Sequence, residues 1–282
     1  MVENRPYLNI VTHLVLILGV LVVAFPVYVA FIASTHEPSA FVRGVMPLLP
    51  GDNLWDSYAQ MLGSGWDVGG TPPVWLMLGN SLIMALVIAI GKIAISIISA
   101  FAIVYFRFRF RLLAFWIIFI TLMLPVEVRI IPTYAVVADL GLLNSYAGLT
   151  LPLIASATAT FLFRQFFMTV PDELMEASRV DGAGPMKFFK DILLPVSITN
   201  IAALFVIMFI YGWVQYLWPL LVTTDEDFYT IMLGIKRLMA SSDRVPAWNL
   251  IMATVTLAML PPVLVVLLMQ KLFVKGLTET EK

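Results

Sequence analysis

Three charged side chains sit inside the long apolar runs of this 282-residue chain: Lys92, Glu127 and Arg129. An ionised group at bilayer depth is costly, so by default it faces a bundle interior or a watery cavity and marks a path or a relay. Lys92 lies sixteen residues after Leu76 and fifteen before Arg107, beyond easy reach of either interface. It reads as a cation lining the path of an anionic solute, or equally as a partner for a helix end or a carboxylate on another subunit. Arg129 offers a planar fork suited to phosphate. Glu127 reads first as a local ion-pair partner, where Pro125 and Pro132 free backbone groups that need satisfying. Trp213, Gln215 and Tyr216 cluster further along with Trp218. The aromatics suit an interfacial belt. The Gln215 amide needs a partner at that depth, either another helix or a solute.

A second constellation is polar throughout. Residues 171–195 read PDELMEASRVDGAGPMKFFKDILLP, with charges at Asp172, Glu173, Glu176, Arg179, Asp181, Lys187, Lys190 and Asp191, and Arg164 just upstream. The spacing predicts helix, turn, helix. Pro171 suits a first helical position, and Asp172 and Glu173 put negative charge where the helix dipole favours it. Glu176 and Arg179 are three apart and can pair across one turn. Gly182 is placed to end the first helix in a left-handed conformation. Gly184-Pro185 starts the second helix, which Pro195 ends or kinks.

Other chemistry is excluded. There is no cysteine, hence no disulfide framework or thiolate metal site. His13 and His36 are the only histidines, at the edges of the first apolar run. Gly91-Lys92 is followed by Ile93 rather than Ser or Thr, so it is no phosphate-binding loop. Neither a G-x-S-x-G nor an H-E-x-x-H pattern occurs. A net charge of −1 gives no bulk signal for nucleic acid. Enzyme activity is not expected, and neither a cofactor nor a metal is expected on this chain.

The elements that must position these groups are membrane spans. Hydrophobic residues make up 61% and charged residues 12%, against about half and about a quarter in soluble domains. Hydropathy predicts an all-α polytopic protein with six helices, at 14–33, 76–106, 112–137, 149–167, 197–222 and 250–273. The first is read as a retained span rather than a cleaved signal peptide. Outer loops are expected at about 34–75, 138–148 and 223–248, within one membrane domain over 1–282. With the N-terminus inside, eleven Lys and Arg fall on the inner side and four on the outer. That excess predicts both termini, and the 171–195 segment, in the cytoplasm.

Glu176-Ala177-Ser178, Gly182 and Ile192-Leu193-Leu194-Pro195 resemble the EAA motif, EAA-x3-G-x9-I-x-LP. The motif belongs to membrane subunits of binding-protein-dependent ABC importers; the one departure is Ser178 for Ala. The resemblance implies that Glu176, Ala177, Ser178, Asp181, Gly182, Ile192, Leu194 and Pro195 belong to a segment coupling the chain to an ATPase. Further stretches resemble the maltose/carbohydrate branch of these permeases: Asn80-Ser81-Leu82 and Ser99 to Ala102. Closer still to importers of sn-glycerol 3-phosphate are Glu3 to Pro6, Thr121 to Arg129, Ser145 to Pro152, Ser156 to Met168 and Tyr211 to Pro219. Asn80 thereby joins Lys92, Glu127, Arg129, Trp213, Gln215 and Tyr216 as a candidate of the solute path. The resemblance implies a bacterial inner-membrane permease importing sn-glycerol 3-phosphate, with room for glycerophosphodiesters. It also implies a second permease subunit, an ATPase homodimer carrying the ATP and Mg, and a periplasmic binding protein that the 223–248 loop reaches. The alternatives are a sugar or polyol permease, or a membrane protein of assembly that moves nothing.

Overall fold

In lipid every backbone N–H and C=O must be paired within the chain, so long apolar runs are driven into helix. The structure, a computed structural model, describes the backbone of residues 6–41, 44, 46–65, 71–240 and 247–279, and their side chains except at 6, 126, 127 and 273–279. Arg5, Arg43, Arg244 and Lys282 of the lysine–arginine count, most of the 3–6 stretch, and the side chains of Lys275 and Glu127 lie outside that description.

Every element among the described residues is helical. In chain order they are α1 (Pro6–Ser34), α2 (Leu54–Gly63), α3 (Val74–Tyr105), α4 (Arg111–Ile120), α5 (Val126–Asp139), α6 (Tyr146–Thr150), α7 (Ala157–Phe167), α8 (Asp172–Val180) and α9 (Pro185–Phe188). A π-helical turn at Phe189–Leu193 leads into α10 (Leu194–Val196). Then come α11 (Ile198–Trp213), α12 (Leu217–Val222), α13 (Ile231–Ala240) and α14 (Trp248–Glu279). Three helices are long and apolar enough to cross a membrane by themselves: 7–34, 74–105 and 248–272. Three bent pairs bring the number to six if each crosses once, as the hydropathy predicts.

The bends are where structure and expectation part. The expected single span 197–222 is α11, a break at Val214–Tyr216, and α12. Residues 185–196 join α11 at 72°, next to Pro195, whose missing N–H removes one rung of the ladder. Residues 146–153 meet α7 at 46°, and α4 and α5 part at Leu124-Pro125. The expected outer loops also contain helices: α2 lies in 34–75 and α13 in 223–248.

The chain forms two compact units. In the unit of residues 1–75 and 234–260, side-chain bonds fold the 34–75 stretch. The Tyr28 hydroxyl donates to the Leu48 carbonyl at 2.6 Å, Thr35 Oγ1 accepts the Gly51 N–H at 2.8 Å, and Ser57 Oγ accepts from the Asn53 and Asn249 amides at 3.0 Å each. The α1 surface in this unit is almost wholly exposed and apolar. In the unit of 76–233 and 261–282, α3 packs against α11 at Gly212, where a Cβ would lie 2.9 Å from the Ala85 Cα. Small residues permit such close helix contact where lipid offers no hydrophobic drive. Met84, Ile88, Ile130, Val137, Leu149, Trp218 and Val222 form the apolar core alongside.

Candidate functional site

The 171–195 segment folds as the expected hairpin. Pro171 stands just before the first helical residue, and Asp172 and Glu173 fill the first turn of α8. Gly182 adopts φ 72°. Its N–H donates to the Arg179 carbonyl at 3.0 Å, and the Ala183 N–H to the Ser178 carbonyl at 2.8 Å. Those two bonds are a Schellman cap, which satisfies carbonyls the helix leaves open. Ser178 is buried and donates its hydroxyl to the Met175 carbonyl at 2.8 Å, so the serine in place of alanine carries no unpaired polar group. Glu176, Ala177, Asp181, Gly182 and Pro195 are exposed, while Ile192 and Leu194 are half-buried.

An aromatic cluster that sequence reading missed holds this hairpin to the spans. Phe101 lies tilted against Phe189 at 4.7 Å, and Tyr105 meets Phe188 edge-on at 5.2 Å and lies tilted to Phe167 at 6.1 Å. Ring pairs at these distances add about 0.5–1.5 kcal/mol each beyond burial. The signal was present: Phe101 and Tyr105 are four apart on α3, and Phe188-Phe189 interrupts a charged stretch.

The polar residues inside the spans divide into two groups. Lys92 is only 5% exposed, and its ammonium stands 3.5 Å from the centre of the Tyr211 ring. A cation over a ring face is favourable, more so when desolvated. Arg129, on α5, is exposed. The structure thus sets Tyr211, a residue that sequence reading did not single out as a site, against Lys92. Gln215 does not extend that group: its amide donates to the Tyr211 carbonyl at 3.0 Å, closing the end of α11. Trp213 is buried and stacked on Phe209 at 5.8 Å, and Trp218 donates to the Gly148 carbonyl at 3.1 Å. Both belong to the core rather than to an interfacial belt. Tyr216 lies half-buried in the break between α11 and α12.

Asn80 belongs to a different arrangement. It is 1% exposed, its amide donates to the carbonyls of Asp227 and Tyr229 at 2.7 and 3.0 Å, and its oxygen accepts from the Tyr146 hydroxyl at 2.7 Å. Ser81 Oγ accepts the Ile231 N–H at 2.8 Å. Asn144, at φ 52°, accepts from the Thr224 and Asp225 N–H groups at 2.7 and 3.0 Å. These side chains clamp the segment 223–231 onto α3 and α6.

A family model described as the inner membrane component of binding-protein-dependent transport systems matches residues 92–279. Over its full length the chain is 60% identical to the sn-glycerol-3-phosphate transport system permease protein UgpE of Agrobacterium fabrum. It is 57% identical to UgpE of Brucella melitensis and 58% to that of Salmonella typhi, each alignment covering all of both chains. Among solved structures, a chain of a bacterial ABC transporter involved in import of the acidic polysaccharide alginate superposes with a TM-score of 0.80 at 20% identity, over 96% of this chain and 98% of that one. At that identity the likeness establishes the fold.

Proposed function

The chain belongs to the family of inner-membrane components of binding-protein-dependent transport systems, and we propose that it forms half of a membrane path for sn-glycerol 3-phosphate. It is a multi-pass permease subunit. The observation that carries the substrate is the identity of 57–60% with permeases named for that solute, sustained over the whole length. ATP hydrolysis, with its Mg, resides on a separate ATPase pair. A second permease completes the path, and a periplasmic binding protein delivers the solute. Glu176, Ala177, Asp181 and Gly182 face the ATPase, and the aromatic cluster passes its motion to α3 and α7. The spans then open alternately to either side.

A phosphomonoester carries roughly −1.5 to −2 charges at neutral pH. Moving that charge through a low-dielectric path requires cations or donors. Arg129, exposed, meets the phosphate with its fork, and Lys92 supplies a fixed positive charge behind it. The test is uptake of labelled sn-glycerol 3-phosphate beside ATPase activity in liposomes holding the whole transporter. Arg129→Gln is expected to lower uptake about tenfold, the scale of one lost charge-assisted contact, with ATPase activity retained. Unchanged uptake in both Arg129→Gln and Lys92→Gln would move the phosphate contact to the partner permease. Stimulation by a neutral polyol but not by the phosphate ester would overturn the substrate.

A further inference from the structure

A cleft of about 770 Å³ opens at the end of α3, between the turn that follows it, the end of α7 and the α8–α9 hairpin. Three guanidinium side chains line it, Arg107, Arg111 and Arg179, against one carboxylate, Asp172. Much of the remaining wall is apolar, including Phe101, Val104, Phe106, Phe167 and Val170. The lining is therefore net positive at one part and oily at another. A small inorganic anion would use only the first part.

The adjoining sequence repeats the same duality. Phe106 to Arg111 alternates aromatic and arginine without a break, and the rings of Phe106, Phe108 and Phe110 are 41%, 42% and 59% exposed. Exposed rings beside cations suit the boundary where hydrocarbon gives way to head groups. The position agrees, because the span 74–105 ends at Tyr105, on the rim of the cleft. Guanidinium forks match phosphate oxygens in pairs.

We infer that this cleft holds the phosphate head group of an anionic phospholipid, with the arginines on the phosphate and an acyl chain along the aromatic wall. The inference is independent of the transport reading, since it requires neither the solute nor the ATPase. Asp172 opposes the anion, but three guanidiniums outweigh it.

The full chain in a neutral detergent, titrated with phosphatidylglycerol or phosphatidylcholine and weighed by native mass spectrometry, tests it. The unaltered chain is expected to retain phosphatidylglycerol at least tenfold better. Arg107→Gln with Arg111→Gln should lower that retention by more than about tenfold, since about tenfold is the scale of a single lost charge-assisted contact. Lys187→Gln with Lys190→Gln removes as much charge outside the cleft and should leave retention unchanged. Equal losses in the two double variants, or no preference in the unaltered chain, would overturn the proposal. Displacement of the lipid by millimolar inorganic phosphate would make this a free-anion site and also overturn it. Should the arginine variant fail to fold, a photoreactive phosphatidylglycerol on the unaltered chain decides: crosslinks are expected within 101–111 or 167–188, and crosslinks only elsewhere refute the assignment.

Discussion

Asn80 illustrates how a residue's type can be legible and its use not. An amide at the start of a span invites a solute, but here each of its polar atoms is engaged by the chain itself. The partners lie 66 to 149 residues away in sequence, a separation that no local pattern encodes. Asn80→Ala strands two carbonyls and a tyrosine hydroxyl. The expected cost is about 2–3 kcal/mol for buried groups left unpaired, read as a fall of several degrees in the melting temperature of the purified chain. Asn80→Asp should be no better, because a carboxylate cannot donate to carbonyls. A solute-contact role would instead leave melting unchanged and alter uptake alone. The same distance in sequence hid the pairing of Lys92 with Tyr211 and kept Trp218, bonded to the Gly148 carbonyl, in an expected belt. By contrast Gly182 was readable, because a small residue after a short charged helix signals a left-handed stop within local reach.

At the scale of elements, the α8–α9 hairpin was legible almost residue by residue. Its cap, charges and prolines act over four or five positions, the range in which local physics decides. The broken spans were less so, although their cue is also local. Pro125 stands at the N-cap of α5, Pro152 in the 3-10 turn at Leu151–Leu153, and Pro219 in the first turn of α12. A proline fits the start of a helix without loss, so Pro125 and Pro219 mark restarts rather than mere kinks, while Pro152 lies in the last turn before the bend into α7. Gly182→Ala meets nothing within 4 Å. It should therefore act only through the left-handed backbone, costing about 1–2 kcal/mol and loosening the hairpin, which faster amide exchange at Ala183 would register. Glu176→Lys is an exposed change and should leave melting unaltered. With the coupling role proposed for α8 it should abolish uptake while the purified ATPase pair continues to hydrolyse. Normal uptake would remove α8 from the coupling surface.

For the molecule as a whole, hydropathy carried the architecture, because a bilayer sorts segments by transfer energy before any packing occurs. The folding around α2 escaped notice, since that helix is short and mixed in polarity and is tied by the Asn53 and Asn249 amides to Ser57, with Gly51 tied to Thr35 just before it. Sidedness is the expectation of the lysine–arginine count, and it is directly measurable in a chain without cysteine. Lys187→Cys should resist an impermeant thiol reagent applied from the periplasm, and Ala40→Cys should react. Labelling of Lys187→Cys from that side would invert the topology. The bend between residues 185–196 and α11 has a mechanical consequence. On one side of it, rings pin Phe188 and Phe189 to α3; on the other, Gly212 seats α11 against the same helix. Between these two anchors Pro195 has no N–H to give, and the π-turn is wound more loosely than its neighbours. The joint is the compliant member in a series of stiff ones. A load applied at the hairpin is thus taken up as torque about Ser197, tilting α11 as a lever instead of compressing it along its axis.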